Sequence, residues 1–518
     1  MSQSPSFYVT TPIYYVNDKP HIGHAYTTLA CDVLARFKRL DGYDVMFLTG
    51  TDEHGQKVEK SAAAAGKEPQ AFCDEVSQSF RDLAKLLNIS NDQFIRTTEP
   101  RHYAACQALW QRLIESGDIY LGQYEGWYAV RDEAFYGEDE LEKREDGKFY
   151  APSGAPVEWV VEPSYFFRLS AWGDRLLKFY DDNPGFILPA SRRNEVVSFV
   201  KGGLKDLSVS RTSFKWGVPV PGDEAHVMYV WLDALTNYIT AVGYPDTEND
   251  AFRRYWPADL HMVGKDIVRF HAVYWPAFLM AAGVAPPKRV FAHGWWTNEG
   301  QKISKSLGNV IDPVELVSTF GLDQTRYFLM REVPFGNDGD YSRRGMINRI
   351  NGELANGFGN LAQRTLSFIA KNAEGKVPQP GAFSDADNAL LAEAHSLVER
   401  MRTSLAEQAI HVAMQQWWDL VDSANRYIDV EAPWTLKKTD PARMLTVLWV
   451  LSETIRHLAI LAQPFVPDGA GRVLDLLAAG PEARGFANLG QGGALVPGTV
   501  LPAPQGVFPR YVEPAAAG

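Results

Sequence analysis

Along the first 113 residues the apolar positions switch between two periods. Residues 7–15 (FYVTTPIYY) read as a buried strand. Between residues 25 and 40, Leu29, Val33, Leu34 and Phe37 recur at the spacing of one helix face. Residues 43–50 form a second apolar run of strand length. Strand, helix and strand in succession predict an α/β domain built on a doubly wound parallel sheet. From about residue 114 to 226 this pattern yields to aromatic, turn-rich sequence (residues 124–136, then 157–167), which an inserted domain explains most simply. Alternation resumes at residues 227–231. Residues 382–432 contain neither glycine nor proline, and Leu390, Leu391, Ala394, Val398, Met401 and Leu405 keep helical spacing. That stretch predicts an all-α helical bundle. The last 40 or so residues, rich in Gly, Pro and Ala, read as an extended, loosely ordered tail. No internal repeat stands out.

Composition changes this picture little. At 518 residues, and roughly 150 per domain, three or four domains are expected. A net charge of −12 argues against a general polyanion binder but leaves room for a local basic face. Cys31, Cys73 and Cys106 show no CxxC spacing, which suggests a reducing compartment and no disulfide framework. The N-terminus has no basic region or apolar core of a signal peptide. No uninterrupted apolar run approaches the ~18 residues of a membrane span. A bacterial-type cytoplasmic protein without a membrane partner is expected.

Two short stretches carry candidate chemistry. His21-Ile22-Gly23-His24 falls between the first predicted strand and helix. Unpaired N–H groups and the helix dipole favour phosphate at such a junction, and Gly23 lets a nucleotide approach the backbone. Lys302-Ile303-Ser304-Lys305-Ser306 follows the turn signal Asn298-Glu299-Gly300 and forms a cationic clamp suited to a triphosphate. Singly, the histidines read as packing or capping residues and the lysines as a solvated loop. Together, in this order, they resemble the paired ATP-handling signatures of a class I aminoacyl-tRNA synthetase. Phosphoryl chemistry of that kind needs positioning and stabilisation of developing negative charge.

The resemblance sharpens to the methionyl-tRNA synthetase family and covers nearly the whole chain. It is carried by Thr11-Pro12-Ile13-Tyr14-Tyr15-Val16-Asn17, Gly50-Thr51-Asp52-Glu53-His54-Gly55, Val230-Trp231-Leu232-Asp233-Ala234 and the run from Val263 to His271. The resemblance implies a Rossmann-like catalytic domain split by a connective domain and followed by an anticodon-binding helical domain. The parts are 1–113 and 227–297 for the two catalytic halves, 114–226 for the insertion, 298–345 for the clamp loop and linking region, 346–475 for the helical domain and 476–518 for a C-terminal extension. It implies activation of L-methionine with ATP and Mg²⁺, then transfer to the 3′ end of tRNA(Met), the initiator included. Pro12, Ile13, Tyr15, Trp231, Ala234, Leu235, Tyr238, Ile267 and His271 would line the methionine pocket, with Asp52 on the ammonium. A thioether is apolar and polarizable, and an aromatic and aliphatic wall suits it. Gly264 and Asp266 would hold the ATP ribose. His21, Gly23, His24, Lys302, Ser304, Lys305 and Ser306 would handle the triphosphate, with His21, His24, Lys302 and Lys305 acting on the transition state. Taken singly, Trp231, Tyr238 and Ile267 read as ordinary core, and Asp52 as a loop or cap residue.

Asn360, Arg364, Pro433 and Trp434 match the family's anticodon readers. Asn360 and Arg364 lie one turn apart and share a helix face, while Pro433 ends the long helix and presents Trp434 for stacking on a splayed base. The insertion is too small for the editing domain that enzymes for branched aliphatic amino acids carry. Cys31 has no thiol partner for the pocket zinc of a cysteine-specific enzyme. Many members carry zinc knuckles in the insertion; here the matching positions are Ala129, Asp132, Ala151 and Gly154, so no structural zinc is expected. The insertion would then rest on Trp127, Trp159, Tyr165 and Phe166. Arg211 is a further active-site candidate, with a surface salt bridge as its other reading. Nothing resembles an appended dimerisation domain, and a monomer is expected. Two other classes stay open: a small-molecule nucleotidyltransferase that never meets tRNA, and a catalytically silent tRNA-binding paralogue.

Overall fold

The computed structural model describes residues 4–17, 19–303 and 307–513. Its central sheet has seven strands, and every pairing in it is parallel. β1 (Ser6–Thr10) and β2 (Tyr14–Tyr15) run along β3 (Asp44–Asp52), and β4 (Gln93–Arg96) pairs with β3 as well. Strands Leu260–Gly264, Val290–His293 and Ile187–Leu188 extend the sheet beyond β1. The single strand predicted over residues 7–15 is thus broken: Ser6 to Thr10 face Asp44 to Leu48, and Tyr14 and Tyr15 face Thr51 and Asp52. Pro12 lies in the break and has no N–H for a ladder. The gap opens the carboxyl end of the sheet, where ligands of doubly wound folds bind.

Six residues separate α1 (Ile22–Leu40) from β2, and every residue from Ala25 to Ala35 is buried. One apolar core runs from Leu29, Val33 and Phe37 of α1 through Phe328 and Leu354 to Trp417, Leu451 and Leu458 of the helical region. A second core, with Trp110, Leu235, Tyr238, Trp275 and Phe278, includes Tyr8 of β1 and Leu48 of β3. Arg326, fully buried, ties the parts together. Its guanidinium donates to Asp32 Oδ2 at 2.7 Å, to the Leu87 carbonyl at 2.9 Å and to the Pro464 carbonyl at 2.8 Å. Burial alone would lift the Asp32 carboxyl, but Arg326 and Arg36 hold it below its ordinary range.

The insertion is a long antiparallel ribbon, β5 (Ile119–Ala129) against Glu158–Phe167. Trp127 packs on Phe149 above Ala129, Ala151 and Val157, and Phe166 stacks with Tyr120. Trp159 is a correction to the expected core: it is 53% exposed and meets only the edge of Trp127. Strand Asp223–Met228, where alternation was expected to resume, is antiparallel to Ser210–Arg211 and Pro219–Val220. Within the span expected for the insertion the chain already returns to the central sheet at Ile187–Leu188, and after the strand Asp223–Met228 it continues into the helix Val230–Thr240. Arg211 is neither a surface residue nor a lining of the main cavity. Its side chain is buried, donating to Ser208 Oγ at 2.9 Å and the Ser210 carbonyl at 2.7 Å beneath Phe135 and Tyr229.

The glycine-free stretch forms two helices, Asp385–Ala406 and Ile410–Glu431, with Gln408 between them at φ 54°. Periodicity gave the helices but not the turn, which has no glycine or proline to mark it. Helix Pro441–Ala462 is long and apolar enough to cross a membrane, but its most apolar stretch is 94% buried inside the bundle. The C-terminal segment corrects the expected loose tail. Phe486, Val507 and Phe508 are buried, Thr499 accepts from Val377 N–H, and Arg343 pairs with Glu513. A few well-placed apolar side chains anchor a Gly- and Pro-rich segment that composition alone reads as free.

Candidate active site

The break after β1, the start of α1, the end of β3 and the helix Val230–Thr240 surround one cavity of about 450 Å³. At its floor Asp52, the last residue of β3, is 7% exposed, and its Oδ1 has no hydrogen-bond partner. Burial first, and the nearby charges of Asp233 and Glu133 second, push this carboxyl well above its ordinary value. Such a group calls for a cation. Asp233 stands behind it, gripped by His54 Nδ1 at 2.6 Å and His102 Nε2 at 2.7 Å. These bonds pin the helix Val230–Thr240 to the end of β3 and to the helix Pro100–Glu115.

The wall beside Asp52 is largely apolar: Pro12, Ile13, Tyr15, Trp231, Ala234, Leu235, Tyr238, Ile267 and His271 all line it. Trp231 stacks on Phe270 at 3.8 Å. His271 Nδ1 lies 2.9 Å from the Ile267 carbonyl and Nε2 lies 2.7 Å from Tyr238 OH. Burial lowers this imidazole to about 4, so it is neutral, with its proton on Nδ1 and the Tyr238 hydroxyl donating to Nε2.

His21 and His24 occupy the opposite end. His21 is the N-cap of α1: its Nδ1 accepts from Gly23 N–H, and His21 N–H donates to His24 Nδ1, both at 3.0 Å. A Cβ on residue 23 would lie 2.9 Å from His21 Cε1, so a side chain there would push the capping ring aside. Loss of hydration lowers both imidazoles; the deeper burial of His24, with His21 beside it, lowers it further, while Asp266 partly offsets the effect on His21. With each Nδ1 accepting, the neutral rings carry their protons on Nε2 and present donors without bringing positive charge. Gly264 and Asp266 lie on the rim.

Lys302 does not line the cavity. It lies exposed in a short strand, Gln301–Lys302, paired with Trp296–Asn298. Ser304, Lys305 and Ser306 lie outside the described residues. The sequence missed Glu133, Lys57, Arg131, Asp132 and Trp295, which also line the cavity. Glu133 is buried at φ 48° and accepts from Tyr15 OH at 2.6 Å. Burial raises it to about 6. The signal was present in Arg131-Asp132-Glu133, charged residues where a metal knuckle was sought. The knuckle positions themselves hold two alanines, a glycine and Asp132, whose Oδ2 accepts from Tyr136 OH at 2.9 Å. One carboxylate and no thiolate do not fit a tetrahedral zinc site.

Far from the cavity, Asn360 is exposed at the start of helix Asn360–Asn372, and Arg364 lies 5.3 Å over the ring of Trp434. Arg364, Ser367, Phe368, Lys371, Ile428, Pro433 and Trp434 line a hollow of about 160 Å³. Ala432, left-handed at φ 45°, ends one helix, and Pro433 begins the next, leaving Trp434 43% exposed.

A parallel sheet with a histidine-capped helix at its carboxyl end, a split by a connective insertion and a distal helical hollow together define a class I aminoacyl-tRNA synthetase. Residues 7–366 match the family described as tRNA synthetases class I (M), and residues 377–515 the anticodon binding domain of methionyl tRNA ligase. The chain is 61% identical to the methionine–tRNA ligase of Brucella suis biovar 1 over 98% of each sequence. It is similar to the Mycobacterium tuberculosis methionyl-tRNA synthetase in complex with methionyl-adenylate (TM-score 0.96, 56% identity, 98% of this chain and 100% of that one). The apo form of that enzyme matches at a TM-score of 0.90 and 53% identity, over 99% of each chain. The chain belongs to the methionine–tRNA ligase family.

Proposed function

We infer that this chain is a methionine–tRNA ligase, which joins L-methionine and ATP into methionyl-adenylate with release of diphosphate and then esterifies tRNA(Met). The observation that carries the assignment is the unpartnered carboxylate oxygen of Asp52 at the end of an apolar cavity whose other end is the histidine-capped start of α1. An α-ammonium paired with Asp52 sets the methionine side chain against Tyr15, Trp231 and Tyr238. His21 and His24 donate through Nε2 to the α-phosphate as the methionine carboxylate attacks it. Their neutrality lets them answer charge that grows during the step rather than bind diphosphate too tightly to release. Gly264 and Asp266 hold the ribose. Lys302 and the residues Ser304, Lys305 and Ser306 receive the triphosphate, which arrives as its magnesium complex, the metal being part of the substrate.

Asn360, Arg364, Pro433 and Trp434 read the anticodon, of initiator and elongator tRNA alike, with Trp434 as the stacking face. The six-part division given by the sequence, a monomeric state, a zinc-free insertion and a cytoplasmic location complete the proposal. ATP–diphosphate exchange with each of the twenty amino acids, without tRNA, tests it. Exchange with methionine alone, followed by charging of tRNA(Met), is expected. Exchange with a different amino acid, or none, would overturn it.

A further inference from the structure

Trp295 stands at the mouth of the cavity, large, apolar and 50% exposed. Nothing in its residue type requires it there, since an exposed indole costs hydration and gains little packing. It is nonetheless held on three sides. Its Nε1–H donates to Asp266 Oδ1 at 3.1 Å, and its backbone N–H donates to Asp338 Oδ1 at 2.8 Å. Lys265 closes the ring, with its ammonium 4.5 Å from the indole centroid and donating to Asp338 Oδ2 at 2.7 Å. Four residues from three separate stretches, 265–266, 295 and 338, therefore brace one another around a carboxylate that is itself exposed.

Asp266 Oδ1 has a defined place within this ring. A Cβ added to Gly264 would sit 2.5 Å from it, so the oxygen fills the space above that glycine. An exposed aspartate otherwise samples several rotamers and loses entropy when it binds. We propose that Trp295 is a positioning residue for the nucleotide: its indole N–H holds the Asp266 carboxylate over Gly264, so that the ribose hydroxyls meet an acceptor already in place. The inference rests on the proposed role of Asp266 on the ribose and adds the residue that makes that acceptor selective.

The test compares ATP with 2′,3′-dideoxy-ATP, which keeps the triphosphate and base but lacks both hydroxyls, in methionine-dependent diphosphate exchange. Trp295→Phe removes the donor and keeps an aromatic ring. KM for ATP is expected to rise about five- to tenfold, the scale of one net hydrogen bond. KM for the dideoxy nucleotide and KM for methionine should hold, so that the preference for ATP shrinks by the same factor. Asp266→Asn should shrink that preference at least as far, and adding Trp295→Phe to it should shrink it no further. An equal rise in KM for both nucleotides in Trp295→Phe would mean that the indole only packs, and the inference would fall alone. An undiminished preference in Asp266→Asn would remove the ribose assignment and the inference with it.

Discussion

Asp52 destabilises the free protein, a cost that the proposed pairing with the substrate ammonium offsets. Its carboxyl titrates well above the usual range in the fold, so the folded state keeps that proton more tightly than the unfolded chain does. Ionisation therefore weakens the fold at any pH above the ordinary carboxylate range, and increasingly so as pH climbs toward the folded value. Asp52→Asn should melt at a higher temperature than wild type near neutrality, by a margin that narrows toward about pH 4. Exchange at low methionine should fall at least about a hundredfold in the same variant, as a lost buried charge partner requires. Scanning calorimetry and exchange kinetics on one preparation would show both. Glu133 offers a second handle. Raised by burial to about 6, it is charged at neutral pH and takes up a proton as pH drops through that value. The ammonium site then loses a nearby negative charge, so KM for methionine should rise on acidification with an inflection near 6. Glu133→Gln should abolish the inflection; a persistent one in that variant would place the titration elsewhere. Asp52, His21 and His24 could be singled out because the motifs around them resemble those of a known family, and the fold brings all three to one cavity. Glu133 and Trp295 were not, because what they do depends on a neighbour that only the fold supplies: Tyr15 in one case, Asp266 in the other.

Elements differ in how openly they declare themselves. α1 and the bundle helices show in the apolar period, since each must bury a face. The break between β1 and β2 was hidden in plain sight at Pro12, and the helix boundary at Gln408 had no local signal. The C-terminal segment was misread because three buried aromatic and aliphatic anchors outweigh a composition that favours freedom. At this scale the junction at Ala432 and Pro433 makes a prediction. It holds Trp434 outward beside Arg364. Base stacking on an aromatic face contributes about 1–3 kcal/mol, or about 5- to 150-fold. Trp434→Ala should therefore raise KM for tRNA(Met) in charging by a factor in that range while methionine-dependent exchange persists. Parallel losses in both assays would mark the residue as structural.

At the scale of the whole molecule, the catalytic and helical regions share a core rather than a hinge. α1 packs into the apolar cluster that continues to Trp417 and Leu458, and Arg326 joins Asp32 of that helix to the Pro464 carbonyl at the end of the bundle. Removing one partner of such a buried pair costs roughly 3–5 kcal/mol. Arg326→Met should lower the melting temperature accordingly, and calorimetry of the wild type should show a single cooperative transition across both regions. Two resolved transitions would contradict the shared core.

A shared core also fixes a length. On the proposed assignment, the cavity for the end of one nucleic acid and the hollow for its far loop are set apart by packed side chains instead of a flexible tether. The protein then works as a gauge: an RNA whose two extremities do not span that gap cannot occupy both seats at once, whatever its bases. Selection by reach would then act beside selection by sequence, and it needs no contact beyond those that hold the fold together.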